Sequence, residues 1–167
     1  GSDQYHGSGG PTQVSDIRDK RKICDAFVEA AVQSGIPRND DFNGAEQEGV
    51  GNFQTTSKNG RRCSSATGYR KPVRHRRNLS VETDAMVMKV LFDGTRVSSV
   101  IYRQHGQDKT VQVNGEVILA GGAVNSPQLL QLSGIGPAEH LRSLGINVVS
   151  DSPGVGANLQ DHYQARL

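Results

Sequence analysis

Four consecutive apolar residues, Val117-Ile118-Leu119-Ala120, run into a pair of glycines, Gly121-Gly122, and a helical pattern opens within five positions. A short, wholly apolar run has the pattern of a strand covered on both faces, as in a parallel sheet, whereas a strand with one wet face alternates. A chain that carries such a run has to surround it with other elements, which points to an α/β arrangement. Just upstream the pattern is different. Leu79, Val81, Thr83, Ala85 and Val87 alternate, then Met88, Val90 and Phe92 continue on the other face, the phase change that a β-bulge leaves behind. Asp93-Gly94, His105–Asp108 and Asn114-Gly115 are turn signals, with β-rich stretches Val97–Gln104 and Lys109–Val113 between them. The reading over 78–120 is a three-stranded antiparallel meander followed by one strand, Glu116–Ala120, of a parallel sheet.

Helical patterns stand on both sides. Lys20–Ser34 places Ile23, Phe27 and Ala30/Ala31 at helical spacing, with Asp19 at the start and Gly35 and Pro37 at the end. After the glycine pair, Asn125 or Ser126 is positioned to cap a second helix, Pro127 to open it, and Gly134 to end it. Pro137–Leu144 repeats the device with Gly145 as terminator, and Ile146–Val149 reads as a short strand. The polar stretch Asn39–Gln54 reads as a shaped loop: Gly44, Gly49 and Gly51 punctuate it, and Phe42, Val50 and Phe53 anchor it. Twenty of the 167 residues are Gly, well above the usual ~7%, so close backbone approaches matter throughout.

Several functions are excluded by what the patterns lack. The longest apolar run, Val117–Ala120, is far below the ~20 residues that span a bilayer, and no stretch reads as a signal peptide. Cys24 and Cys63 are too few and too far apart for a stapled fold or a CxxC motif, so both are expected to be free thiols. The five histidines show no metal-ligand spacing, and no metal is expected. Gly49/Gly51, Gly134/Gly136 and Gly154/Gly156 are never completed to a dinucleotide fingerprint. His6-Gly7-Ser8-Gly9-Gly10 is similar to the oxyanion loop of lipases, yet no Gly-x-Ser-x-Gly elbow exists to seat a nucleophile. The basic run Arg70–Arg77, with Arg61 and Arg62 nearby, has only Tyr69 as an aromatic neighbour; a solvated surface is the plainer reading, and nucleic acid is not expected. What survives is the strand end at Gly121-Gly122. Bare backbone and a positive helix end meet there, a place where a ligand can lie against the main chain. The competing reading is an ordinary strand-to-helix turn that needs Gly for its dihedrals.

The stretch Gly122–Gly136, GAVNSPQLLQLSGIG, closely resembles the second signature of the glucose–methanol–choline (GMC) flavin oxidoreductases. YHGSGGP (Tyr5–Pro11), DFNGAEQEGVG (Asp41–Gly51), NGRRCSSATGY (Asn59–Tyr69), NLSVET (Asn78–Thr83) and PGVGANLQDH (Pro153–His162) fit the same family in the same order. The likeness is strongest to the choline and alcohol dehydrogenases within it.

That resemblance implies an α/β chain of α+β character when alone: part of an FAD-binding, Rossmann-like domain with a three-stranded antiparallel meander, plus parts of a substrate domain. It implies residues 1–52 and 153–167 in the substrate domain and 53–152 in the FAD domain. It implies FAD as cofactor and a small-molecule alcohol as substrate of a longer parent, oxidised by hydride transfer to the flavin. The family's N-terminal Gly-rich motif and its C-terminal catalytic histidine region match nothing here, so an internal fragment, inactive alone, is expected. No residue is assigned a catalytic role, His162 included. Val87 matches the valine whose backbone meets the adenine end of FAD, and Gly121 and Gly122 match the strand end that passes the cofactor; these three are the candidate cofactor-binding residues. The parent is expected in the cytoplasm or peripherally at the inner membrane. The alternative is a non-enzymatic domain that uses basic segment 61–77 for protein or nucleic-acid contacts.

Overall fold

The computed structural model describes residues 3–163, which form two compact units, one up to Ser80 and the other from Val81. In the first unit, helix α1 (Lys22–Gln33) packs through Val28, which is buried, while Ile23 and Phe27 remain exposed. Its N-cap position is Arg21, without a side-chain hydrogen bond, so Asp19 does not cap it as expected. The chain leaves at Gly35, in the left-handed region, and enters the loop 37–54. That loop is shaped, as anticipated. The Asn39 N–H donates to Val50 O (2.9 Å) and its side-chain amide donates to Glu46 O (2.8 Å) and Glu48 O (3.1 Å). Gly51 lies so close that any side chain there would run into the Asn39 carbonyl. The Phe42 and Phe53 rings sit 5.0 Å apart, tilted.

A small hairpin of β1 (Ser57–Lys58) and β2 (Arg61–Arg62) turns at Asn59-Gly60, both at positive φ. A π-helical turn (Ala66–Arg70) and the short helix α2 (Lys71–Val73) carry the basic segment. Cys63 is buried beneath the N-terminal strip, accepting the Gln13 N–H at 3.5 Å; Cys24 is exposed, and both thiols are free.

The second unit is organised by the expected antiparallel meander: β3 (Ala85–Asp93), β4 (Arg96–Gln104) and β5 (Gln107–Gln112), in that spatial order. Register shifts fall between Val87 and Lys89 and between Leu91 and Phe92, the first where the hydrophobic phase changes in the sequence. Two boundaries move. β3 begins at Ala85 rather than in the alternating stretch before it, because Asp84 adopts φ 54° and breaks the extended run. Instead of pairing, Thr83 O and Glu82 accept hydrogen bonds from the side-chain amide of Gln104 (2.8 and 3.2 Å), whose own carbonyl accepts from Lys109 Nζ (2.7 Å). β5 begins at Gln107 because His105-Gly106 alone makes the turn, both at positive φ. Across it Arg103 grips Asp108 with two hydrogen bonds, 2.6 and 3.0 Å.

Two expectations fail. Glu116–Ala120 is extended but pairs with no strand among the described residues, and Ile118 is 82% exposed. An apolar run becomes a parallel strand only when neighbours satisfy its edges. Ile146–Val149 is not a strand either: the parallel pairing there is β6 (Ile135–Gly136) with β7 (Ser150–Asp151). Helix α3 (Gly122–Leu132) starts earlier than expected, with Gly121 at its N-cap and Pro127 in its sixth position, at the loss of one backbone hydrogen bond. Helix α4 (Ala138–Ser143) ends near Gly145 as expected, and its Leu141 is fully buried.

Candidate cofactor-binding groove

Three stretches far apart in sequence frame a groove of about 360 Å³ in the second unit. Met86, Val87 and Val90 of β3 form one wall, the extended run Val117–Gly121 a second, and α3 a third through Asn125, Ser126 and Leu129. The lining is mostly aliphatic with a few amide and hydroxyl groups, the usual make-up of a small-molecule site. β3 is the edge of the meander, so on its outer side alternate main-chain groups face away from any strand.

Of the three candidate residues, Val87 and Gly121 come together in this groove. Val87 is 41% exposed. At Gly121 a Cβ would stand 3.2–3.3 Å from Asn125 Cβ, Ser126 N and Ser126 Oγ, tighter than ordinary contact, so a side chain there would have to push these neighbours aside by a few tenths of an ångström. The Gly121 N–H is already taken, donating to Ser126 Oγ at 3.0 Å. Ser126, expected as a cap, therefore closes the helix start backward across the turn. Gly122 is outside the groove lining; it has φ 84° and open space where a Cβ would be, so glycine is favoured there by its dihedral alone.

On the opposite flank of α3 lies a second cleft, about 480 Å³, walled by Val124, Pro127 and Gln131 on one side and by Gly154–Ala157 and Leu159 on the other. Gln131 crosses it, donating to Val155 O at 2.9 Å, and a side chain at Gly156 would meet Gln131 Nε2 at 2.7 Å. Sequence reasoning missed this pairing of the α3 flank with the tail loop. The Gly-x-Gly at Gly154/Gly156 is the one signal of it in the sequence.

The first unit holds a cleft of about 960 Å³ around the lipase-like loop. Its histidine is spoken for: His6 Nδ1 lies 2.9 Å from Asp3 Oδ1 and Nε2 lies 3.2 Å from Asp41 Oδ2. Asp3 also accepts the N–H groups of Tyr5 and His6, each at 2.8 Å. The backbone N–H of Tyr5 first, and then the His6 side chain, hold the Asp3 carboxyl below the usual carboxylate range. Asp3 in turn holds the imidazole above its ordinary value. Both ring nitrogens of His6 thus face carboxylates, which anchor the imidazole within the loop region. His162 is exposed near the end of the described residues, its N–H on Asp161.

No helix among the described residues is long and apolar enough to cross a membrane. The basic side chains Arg61, Arg62, Arg70, Lys71, Arg74, Arg76 and Arg77 are all exposed.

Comparison with known proteins agrees with this architecture. The chain is 47% identical to human mitochondrial choline dehydrogenase over 164 residues, covering 98% of this chain and 28% of that protein. It is 48% identical to a Pseudomonas putida alcohol dehydrogenase [acceptor] over 166 residues, covering 98% of this chain and 30% of that one. Among solved structures, an FAD-dependent oxidoreductase from Chaetomium thermophilum superposes with a TM-score of 0.84 at 29% identity, over 89% of this chain and 26% of the other. The chain thus spans less than a third of the relatives it matches, and its three-stranded meander is part of an FAD-binding fold. A family match runs from residue 4 to residue 164, and with it the conclusion is reached: this chain belongs to the GMC oxidoreductases, a family of FAD-dependent enzymes.

Proposed function

We propose that the chain forms the adenine-side wall of the FAD site in a larger enzyme that oxidises a small alcohol of the choline type. The observation that carries this reading is that Val87 and Gly121, 34 positions apart in the sequence, line one groove. The groove is of ligand size, and Gly121 adds no side chain to the wall it lines. Val87 would offer main-chain contacts from the edge strand, and Gly121 and Gly122 would lead past the cofactor into the positive end of α3. Bound FAD supplies the hydride acceptor for an alcohol. In this reading the residues of this chain hold and orient, and none is assigned the alcohol proton; both nitrogens of His6 face carboxylates. Residues 53–152 are assigned to the FAD domain of the parent, and 1–52 and 153–167 to its substrate domain, a division by origin that differs from the packing boundary after Ser80.

The test is to titrate the purified chain with FAD and with choline and simple alcohols. Weak FAD binding, visible as quenched flavin fluorescence, and no dye reduction are expected. Alcohol-dependent dye reduction by the chain alone refutes its inactivity, and failure to bind any adenine nucleotide refutes the groove.

A second reading rests on charge. From Thr55 to Val81 the sequence holds eight Lys and Arg and no Asp or Glu, an exposed cationic strip fit for an anionic partner, including the inner-membrane surface in the parent. Salt-sensitive binding to anionic vesicles or nucleic acid by a chain that ignores FAD would favour it.

A further inference from the structure

The groove depends on a side chain that does not line it. Ser133, immediately after α3, is 2% exposed. Its Oγ accepts the Val90 N–H at 2.9 Å and donates to Leu129 O at 2.6 Å. A serine that only closed a helix would make the second bond and leave its lone pairs to water or to nothing. Here the accepting side is aimed across the unit at the edge strand, at a residue three positions from Val87 and itself 5% exposed. Val90 donates outward because no strand lies on that side of β3 among the described residues, and a buried N–H without a partner carries the full cost of its desolvation.

The other end of the helix is fastened in the same manner. Ser126 Oγ accepts the Gly121 N–H at 3.0 Å. One helix is thus tied by two hydroxyls to the two remaining walls of the groove: at its C-terminal end to β3, at its N-terminal half to the end of the 117–121 run. The Ser126 tie closes the turn at the helix's own start, and the Ser133 tie is the one that joins α3 to the strand carrying Val87.

We infer that Ser133 is a positioning residue for the adenine half of the cofactor: its bond to Val90 sets the width of the groove between β3 and α3, and with it the affinity for an adenine nucleotide. This rests on the FAD reading above. Losing the Oγ frees the edge strand to move off the helix. The groove then widens at Val87 without losing any residue that lines it.

The probe is ADP, the adenine half of FAD without the flavin, titrated by NMR into the isotopically labelled chain. Wild type is expected to show ADP-induced shifts at Val87 and Gly121. Ser133→Ala is expected to raise the ADP dissociation constant about fivefold, the effect of one hydrogen bond, and to speed exchange of the Val90 amide. Ser133→Cys, nearly the same size with a weak acceptor, should move affinity in the same direction and is read alone if the alanine variant does not fold. Leu141→Val, a buried change in α4 away from the groove, is the stability control: it should lower the melting temperature and leave ADP affinity within about twofold of wild type. The inference is overturned if the Ser133 variants bind ADP as wild type does. It also falls if Leu141→Val weakens ADP as much as they do, because affinity would then track stability. Should wild type itself show no ADP shifts in the groove, the cofactor reading fails first and this inference falls with it, an outcome the wild-type arm reports separately.

Discussion

Strand β3 and the run Glu116–Ala120 are both dominated by apolar residues, yet they end in different conditions. Val90, in β3, is 5% exposed; Ile118, in the run, is 82% exposed. β3 finds its partner β4 across the tight turn at Asp93-Gly94, a connection that costs little chain entropy. The run has no strand beside it among the described residues. Apolar character prepares a segment for burial, but pairing decides whether burial happens. The pair β6–β7 is the intermediate case: its strands are 15 positions apart in register and still meet in parallel, because Gly134 lets the chain pass tightly under Asn147 and Val149.

That contrast can be broken most forcefully at Gly134. A valine there would meet φ 93°, run into the Asn147 carbonyl and come within 2.9 Å of Val149 Cγ2. We expect a loss of roughly 3–5 kcal/mol in chemical denaturation, from backbone strain and overpacking together. A loss under about 1 kcal/mol would mean that β6–β7 is not held by this passage. Next, Val90→Ala should cost about 2 kcal/mol, the transfer of a buried side chain plus the space it leaves. Ile118→Thr, equally drastic on paper, should change stability by less than about 0.5 kcal/mol, and the amides of 117–119 should exchange far faster than those of β4. Equal costs at Val90 and Ile118 would erase the distinction between the two regions.

The smallest expected effect concerns the β4–β5 turn. Arg103 holds Asp108 below the ordinary carboxylate value of 3.8. A carboxylate whose folded value is depressed adds stability that is fully present above its unfolded value and is lost as pH falls through the folded one. The melting-temperature gap between wild type and Asp108→Asn should therefore be constant near neutrality and close below pH 3.8. The pair is exposed on both sides, so the gap is small and should shrink in high salt; a gap that widens on acidification contradicts the assignment.

What could be read from the sequence was mostly local. The phase change at Val87–Met88 foretold the bulge, Asp93-Gly94 the hairpin, and Gly35 and Gly145 the ends of α1 and α4, each through the dihedral needs of a few neighbouring residues. The misreadings come from rules that neighbours overrode. Pro127 was expected to open α3, but the turn at Gly121-Gly122 starts the helix earlier and leaves the proline inside it. The alternation before Ala85 looked like strand, yet Asp84 turns the chain and Gln104 takes its backbone partner. Of the groove, resemblance supplied Val87 and Gly121, but nothing in the sequence could show that they share one cavity. The Ser133–Val90 tie was invisible for the same reason: 43 positions separate a hydroxyl from the amide it accepts.

Helix α3 has no idle side. One flank walls the groove toward Val87, and the other, through Gln131, latches the loop at Val155 and Gly156. It stands as a party wall between two rooms, with Ser126 and Gln128 opening onto both. An alteration made for one tenant is felt by the other, so whatever settles beside Val87 and whatever the tail loop covers are neighbours through eleven residues of shared masonry.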